Sequence, residues 1–402
     1  MKTGLTVSIL ALIGFVFANG FANRSQTISD TTVRQDEVKK RDTDSGTVQE
    51  PSDSQVVAVD KAKLEMTTRK AVDFLRAHQA QDGSWDSQLG IGVTGLVTIS
   101  LLQNGVPPTD PVLQKSLKYL QSHVKPSGGI HKEGTFYRNY ETSIAIQCFA
   151  QADKMSKVPK YQRMLNDAGV FMKSIQWKKG EGIEDSDPRI GGAGYGKHNR
   201  PDLSNTSMFI DALKALDTDD NDPAMQAAIK FVSRSQNLES SHNTTPHGAK
   251  INDGGFYYTP AGEGESKAEK TANGGLRSYG SMTYAGFKSL LYAGVDKNDI
   301  RVQAASDWIS KHYDLDANPG MGQQGLYYYY HIFAKALDAY GENVFIDGEG
   351  KKHNWRAELV EVLASKQLKD GSWTNEADRW YEGSPNLCAA YCLLALSYCT
   401  EK

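Results

Sequence analysis

The chain has 402 residues, of which 39% are hydrophobic and 23% charged, with a formal net charge of −3. That balance fits a soluble globular body. It leaves no basic surplus or Lys/Arg-rich run with which to hold nucleic acid, so nucleic acid is excluded as a partner.

Lys2 supplies a positive start, and Leu5 to Phe17 is apolar apart from Thr6, Ser8 and Gly14. Gly20-Phe21-Ala22 then offers small residues where a signal peptidase reads. Residues 1–22 are therefore read as a secretory signal peptide, which places the mature chain outside the cell or in a periplasm. The apolar run falls short of the roughly 20 residues that span a bilayer, so no stable membrane span is expected after cleavage. Residues 23–60 are rich in Ser, Thr, Asp, Gln and Val without helical or alternating pattern, and read as a flexible tether. Residues 61–402 remain as a single domain. Cys388 and Cys392 stand four apart on one expected helix and would bridge poorly, whereas Cys148 and Cys399 are free to pair in an oxidising compartment.

Aromatic–aliphatic pairs recur along this domain: Phe74-Leu75, Tyr119-Leu120, Phe171-Met172, Phe231-Val232 and Trp308-Ile309, with Val362-Leu363 as a less aromatic sixth copy. Three residues before the first five pairs sits a small residue, Ala71, Ser116, Ala168, Ala228 or Ala305, and Leu359 takes the place in the sixth. Small residues at this spacing let helices approach. Gln79, Gln176, Gln236 and Gln367 follow four residues after their pairs. Glycine turns come next, as Gly83, Gly128-Gly129, Gly191-Gly192, Gly254-Gly255 and Gly371. Glycine ends the helix there, because it adopts backbone angles that other residues resist.

A second helix, apolar on most faces, follows each turn: 94–102, 142–150, 204–216, 281–291, 326–337 and 387–398. A helix apolar nearly all round is buried between layers. Each repeat thus supplies an amphipathic outer helix and a buried inner one. The expected fold class is all-α: an (α/α)6 toroid or barrel of six helical hairpins with no β-sheet in its body. Its best repeat copies lie at the two ends, where the first and last hairpins would meet.

The run Lys70-Ala71-x-x-Phe74-Leu75-x-x-x-Gln79-x-x-x-Gly83-x-Trp85 resembles the QW motif of squalene and oxidosqualene cyclases. The resemblance recurs in weaker copies from about Leu64 to Tyr398 and points to the prenyltransferase and squalene–hopene cyclase repeat superfamily. It implies that Gln79, Trp85, Gln367 and Trp373 staple adjacent repeats. The superfamily's reactive motifs fit less well. Asp217-Thr218-Asp219-Asp220 matches the cyclases' Asp-x-Asp-Asp acid in type, but follows an inner helix where theirs opens one. Gln324-Gly325-Leu326 replaces the prenyltransferase Asp and Cys, no His stands near Cys388, and Cys388 with His331 makes two zinc ligands without a third. No metal and no cofactor is implied. The Gly-Cys-Gly-Glu-Gln of thioester proteins is missing.

Ligands of such a ring enter at the mouth, where inner helices begin. Asp202, Glu141 and Glu382 are the acids best placed for general acid work, which an aromatic pocket favours by raising a carboxyl pKa. Tyr140, Asn205, Arg277, Tyr279, Tyr284, Gln324, Tyr327, Tyr328 and Trp380 are the candidate ligand contacts. At least one of Tyr327 to Tyr330 should face the hollow, and Arg200 or Arg277 would suit an anionic head group. Asp211 is expected either in the cavity or hydrogen-bonded between helices. The insertion at 242–276 is either a lid or a surface loop. The first functional expectation is a hydrophobic, isoprenoid-like ligand in a tyrosine-rich cavity, with cyclase- or transferase-like activity. A secreted polysaccharide lyase or hydrolase acting on a glycan is the second, and requires a carboxylate pair such as Asp202 with Glu141 or Glu382. A non-enzymatic protein-interaction ring is the third.

Overall fold

The computed structural model describes residues 57–180, 183–196 and 200–400. The signal peptide and all but the last four residues of the tether lie outside them. Residues 54–402 form one contact unit.

The first part of this unit holds α1 (Lys61–Ala77), α2 (Gly92–Gln103), α3 (Pro111–Gln121), α4 (Arg138–Lys154), α5 (Gln162–Ile175), α6 (Leu203–Ala215) and α7 (Pro223–Arg234). The second part holds a single turn, α8 (Gly248–Ile251), then α9 (Gly280–Tyr292), α10 (Ile300–Lys311), α11 (Leu326–Tyr340), α12 (Trp355–Lys366) and α13 (Pro385–Ser397). The outer helices α1, α3, α7 and α10 start on aspartate, and α12 on Asn354. Asp110, Asp222 and Asp299 accept from Val112, Ala224 and Arg301 N at 3.0, 2.9 and 2.9 Å, and proline follows the first two. These caps satisfy amides that have no partner within the helix.

The inner helices pack in sequence, α2 on α4, α4 on α6, α6 on α9, α9 on α11 and α11 on α13, and α13 returns to α2. Outside them α3, α5, α7 and α10 lie chiefly on the inner helix of the preceding repeat, α2, α4, α6 and α9 in turn, while α1 meets α12 and α13. In α9 every residue from Gly280 to Leu290 is buried, as expected of a helix covered on all sides.

Repeated side chains tie the layers together. Gln79 Nε2 donates to Gly83 O in its own turn (3.1 Å) and to Val112 O of the next outer helix (2.8 Å). Gln176 joins Gly191 O to Ala224 O, and Gln236 joins Gly254 O to Arg301 O. Gln367 joins Gly371 O to Thr67 O, both at 3.0 Å, so the last repeat is bound to the first. The turn glycines explain themselves at the same places. Gly371 has φ +92, and a Cβ there would stand 2.3 Å from Lys70 O of α1. The expected tryptophan staples differ from this. Trp85 and Trp373 Nε1 donate to Leu75 O and Leu363 O, each within its own hairpin and at 2.9 Å. The indoles are fully buried and hold a turn to its helix; the glutamines hold neighbours together.

Two further expectations are corrected. The body is not wholly helical: β1 (Ala193–Gly194) pairs antiparallel with β2 (Pro201–Asp202), and β3 (Phe345–Ile346) pairs with β4 (Lys352–His353). Each ladder is two residues long and closes a loop. The four cysteines are free and buried. Cys148 Sγ donates to Gly95 O and Cys399 Sγ to Ala395 O, and neither is in a disulfide. Among the described residues no helix is long and apolar enough to cross a membrane.

Candidate functional site

The ladder β1–β2 delivers the chain to α6 in extended form, and Asp202 becomes the N-cap of that helix. Its Oδ1 accepts from Asn205 N (2.9 Å) and Ser204 Oγ (2.7 Å), and Oδ2 accepts from Asn205 Nδ2 (2.9 Å). Tyr258, from the long loop, brings its phenol close to this carboxyl. Burial pushes the Asp202 carboxyl above its usual range, despite these donors. The phenols of Tyr195, Tyr258 and Tyr140 cluster beside it, with Ser204 next to Tyr140. The rings of Tyr140 and Tyr195 stack at 5.7 Å.

Tyr140, Tyr195, Tyr258, Tyr328 and Tyr391 keep some accessible surface. Burial nevertheless raises the pKa of every one of these phenols. Side chains crowded by protein that still meet solvent line a recess, here the hollow between the inner helices. The Tyr328 ring meets that of Tyr391 at 5.8 Å, and His331 stacks on Tyr391 at 6.0 Å.

The floor of the recess is ionic. Asp211 of α6 is paired with Lys288 of α9 and, at 2.8 Å, with Lys335 of α11. Lys335 also reaches Gln147 Oε1 of α4, on the opposite side of the ring, at 3.5 Å. Burial alone would raise the Asp211 carboxyl, but the two ammonium groups outweigh it and hold it below the usual range. Burial and the neighbouring Lys335 push Lys288 down to about 8, against the pull of Asp211. Asp211 is thus both hydrogen-bonded between helices and part of the cavity's base. Nine residues of helix separate Asp202 from Asp211, so rim and floor lie about 13 Å apart along the axis.

At the rim, Arg200 and Lys267 both pair with Glu265, and Lys267 lies over the Tyr258 ring at 4.5 Å. Burial, then Arg200 and Arg379, lower the Lys267 pKa, so three cations converge near Asp202. Arg379 donates to Gln324 Oε1 at 2.7 Å and lies over Trp380 at 4.8 Å. The insertion supplies Tyr258, Glu265 and Lys267 to this rim. Its Phe256, Tyr257 and Leu276 are fully buried and anchor the insertion to the core.

Several candidates have other work. Glu141 spends both oxygens on backbone, accepting from Ile91 N (3.0 Å) at the head of α2 and from Lys132 N (2.8 Å). Glu382 accepts from Tyr328 N at the head of α11 (2.8 Å) and from Asn375 Nδ2 (2.7 Å). These two carboxylates cap the inner helix of the preceding repeat, where both oxygens of each are taken up by amides. Asn318 does the same for α9 through Ser281 N, at 2.9 Å. Neither Thr142 nor Ser281 caps its own helix. Thr142, like Thr94, Thr206 and Thr283, instead accepts from a loop amide, at Ile130, Trp85, Ala193 and Phe256.

Among the expected ligand contacts, Tyr140 and Tyr328 face the hollow. Tyr279 is buried against Tyr328 and Asp202. Asn205 holds Asp202 and accepts from Asn139 Nδ2 (3.0 Å), one shell behind. Tyr284 is packed between α9 and α11 against Tyr329 and Phe333, away from the recess. Tyr327 donates to Thr374 O, Tyr329 to Asp314 O and Tyr330 to Leu315 O, so Tyr328 is the member of the run that looks inward. Gln324 and Trp380 belong to the rim with Arg379, whereas Arg277 is an exposed loop residue. Asp217-Thr218-Asp219-Asp220 lies between α6 and α7, where Asp219 Oδ1 accepts from Asn221 N at 2.7 Å in an ordinary turn. Sequence reading missed Lys288, Lys335, Tyr195, Tyr258 and Tyr391. The two lysines carried a signal, being ammonium groups set within otherwise apolar inner helices. Among the described residues no three His, Cys, Asp or Glu side chains converge on a point that could hold a metal.

The site can therefore stack rings against phenol faces, exchange hydrogen bonds with their hydroxyls, and present the Asp202 carboxyl beside the Tyr258 phenol. No family model and no curated protein sequence matches the chain. Among solved structures it is similar to the apo type II terpene cyclase MstE from Scytonema, at 13% identity over 84% of this chain and 97% of the other, with a TM-score of 0.50. It is also similar to a glycosyl hydrolase of family 88 from Bacteroides vulgatus, at 12% identity over 83% and 98%, TM-score 0.52. A D-mannose isomerase matches at 12% identity over 83% and 97%, TM-score 0.50. A terpene cyclase and two proteins named for sugars share these helices, so fold does not choose the ligand. At such identities the likeness is one of architecture, and that architecture is the alpha–alpha toroid.

Proposed function

We propose that this chain is an exported (α/α)6 toroid of six helical hairpins that binds a saccharide in its central recess, with Asp202 and Tyr258 as the proton-transfer pair. The observation that carries the reading is the chemistry of the recess wall. Five accessible tyrosines surround a hydrogen-bonded carboxylate above a charged floor. A sugar ring offers apolar C–H faces to such phenols and hydroxyls to their polar tips. A hydrocarbon would meet only the faces. It would leave Tyr328 Oη and His331 Nδ1, which have no partner among the described residues, unsatisfied at a cost of about 1–3 kcal/mol each. The two-carboxylate hydrolase scheme is not used here, because Glu141 and Glu382 are committed to helix caps. A single carboxyl of raised pKa with a phenol donor suits one proton transfer in a cleavage by elimination or isomerisation.

The apolar-ligand reading, with cyclase- or transferase-like chemistry, keeps one supporting observation. Phe136 is 69% exposed and Trp380 37% exposed, on the loops that enter α4 and α13. One experiment separates the two. Native mass spectrometry is run on the protein after incubation with a panel of oligosaccharides and a panel of prenyl alcohols. Retention of a saccharide, weakened by Tyr328→Ala, is the expected result; retention of prenyl compounds alone refutes the saccharide reading. Asp202→Asn should then abolish conversion of the retained sugar while leaving its binding within about threefold, and unchanged turnover would remove Asp202 from the chemistry.

A further inference from the structure

The floor of the recess holds more positive charge than it balances. Lys288 and Lys335 together face one carboxylate, Asp211, which leaves a formal charge of +1 (two minus one) in a place where the three side chains are 0%, 7% and 1% exposed. The Tyr292 ring lies 5.4 and 5.6 Å from the two ammonium groups and softens this charge without cancelling it. The Asp338 carboxylate, which acts on the phenols nearby, is paired with Arg356 at 3.1 Å. Tyr292 and Tyr398 lie below, with phenols that burial keeps protonated. His331 lies above, where burial and then Lys335 push it down to about 3, so its ring is neutral. The two ammonium groups carry six N–H donors. Four acceptors meet them among the described residues: both oxygens of Asp211, Ser207 O and Gln147 Oε1. An unbalanced buried charge is costly unless something of opposite sign joins it.

The same helix supplies the rest of a receptor. Tyr328, His331 and Lys335 stand at i, i+3 and i+7 on α11, and so share one face. His331 is only 6% exposed, and its Nδ1 has no partner among the described residues. Tyr328 Oη is in the same position. Lys335, the more accessible of the two lysines, is the one at the base of this face. Seven residues of helix span about 10 Å, close to the length of one or two sugar rings.

We propose that this face and floor form a seat for a compact oxyanion, a carboxylate or a sulfate ester, carried on the sugar that the recess binds. The oxyanion accepts from Lys335 Nζ, His331 and Tyr328 Oη and balances the surplus charge. The ligand class is thereby an acidic saccharide, a uronate or a sulfated sugar. This inference rests on the saccharide reading of the recess, and its test is arranged to separate the two.

Titration calorimetry on the wild-type chain would use D-glucuronate, glucose 6-sulfate and D-glucose, and inorganic sulfate would be followed by thermal shift. Either acidic sugar should bind at least about tenfold more tightly than glucose, as a charge-assisted hydrogen bond requires. Which of the two prevails identifies the oxyanion as carboxylate or sulfate ester. Tyr328→Phe, which keeps the ring, should reduce that preference about three- to tenfold. Lys335→Met should abolish it. Glucose binding as tightly as both acids overturns the seat and leaves the saccharide reading standing. Stabilisation by inorganic sulfate that is lost in Lys335→Met, with no sugar bound, supports the seat and overturns the saccharide reading. No response to any of the four probes overturns both.

Discussion

Asp211 is the residue whose loss should cost the fold most for the smallest change of shape. Replacing it with Asn keeps the volume and one acceptor but removes the only carboxylate between Lys288 and Lys335. At the 2.8 Å separation from Lys335, Coulomb's law with an effective dielectric of about 20 gives about 6 kcal/mol for that pair before desolvation is counted. A second route to the magnitude is through protonation. With the carboxylate gone, one lysine must shed its proton to remain buried, and at pH 7 that costs about 5 kcal/mol for a group whose unfolded pKa is near 10.4. Measured losses on breaking buried pairs are about 3–5 kcal/mol, which agrees with both. Guanidinium unfolding of wild type and Asp211→Asn, followed by circular dichroism at pH 7, should show a midpoint drop of that size with little change in slope. The triple variant Asp211→Leu, Lys288→Met, Lys335→Met should recover most of it, since it removes charge and counter-charge together. A loss below about 1 kcal/mol for Asp211→Asn would refute the claim that the floor is an electrostatic joint between α6, α9 and α11.

Gly371→Ala, with φ +92 and Lys70 O at 2.3 Å from the new methyl, should cost about 2–4 kcal/mol in thermal or denaturant melts. Gly350→Ala, with φ +83 and nothing within 4 Å, should cost only about 1 kcal/mol. Lys288 has a folded pKa of about 8 against 10.5, so its charge disfavours the native state. That penalty is fully present below pH 8. It is relieved as pH rises towards 10.5, where the native lysine has lost its proton and the unfolded one has not. Between pH 7 and 9.5 the wild type should therefore gain about 2 kcal/mol relative to Lys288→Met in paired urea melts. Burial raises all four thiols, Cys399 to about 12, so a thiol reagent at pH 8 should label none in the native protein and four after unfolding.

The alternation of outer and inner helices was legible because burial writes itself into composition: α9 and α11 are apolar on nearly every face. The glutamines and glycines were legible because the same contact is made again at successive repeats. The capping contacts of two carboxylates were not legible, for a physical reason. Glu141 and Glu382 precede or open inner helices, as a catalytic acid at the mouth would, but capping a neighbour's helix demands the same residue at the same place. Only the identity of the partner amide, Ile91 or Tyr328, tells the roles apart, and partners across repeats are not visible in one sequence. The floor was half legible. Asp211 stood out on its helix, yet its significance depends on Lys288 and Lys335, which lie 77 and 124 residues away. Tyr258 was hidden within an insertion whose length suggested a lid, although the aromatic core of that insertion pins it in place.

The bond from Gln367 to Thr67 crosses 300 positions of chain and completes a circuit. An open stack of repeats can lose a terminal unit and remain a shorter stack, because each unit answers only to its neighbours. A circuit has no such intermediate lengths: removing α12 and α13 uncovers α1 and α2 as well, on the far side of the gap. Native order here must arrive with the meeting of the two most distant segments, a late and entropically demanding encounter. Damage at the junction should accordingly be felt as the cooperative failure of every repeat at once.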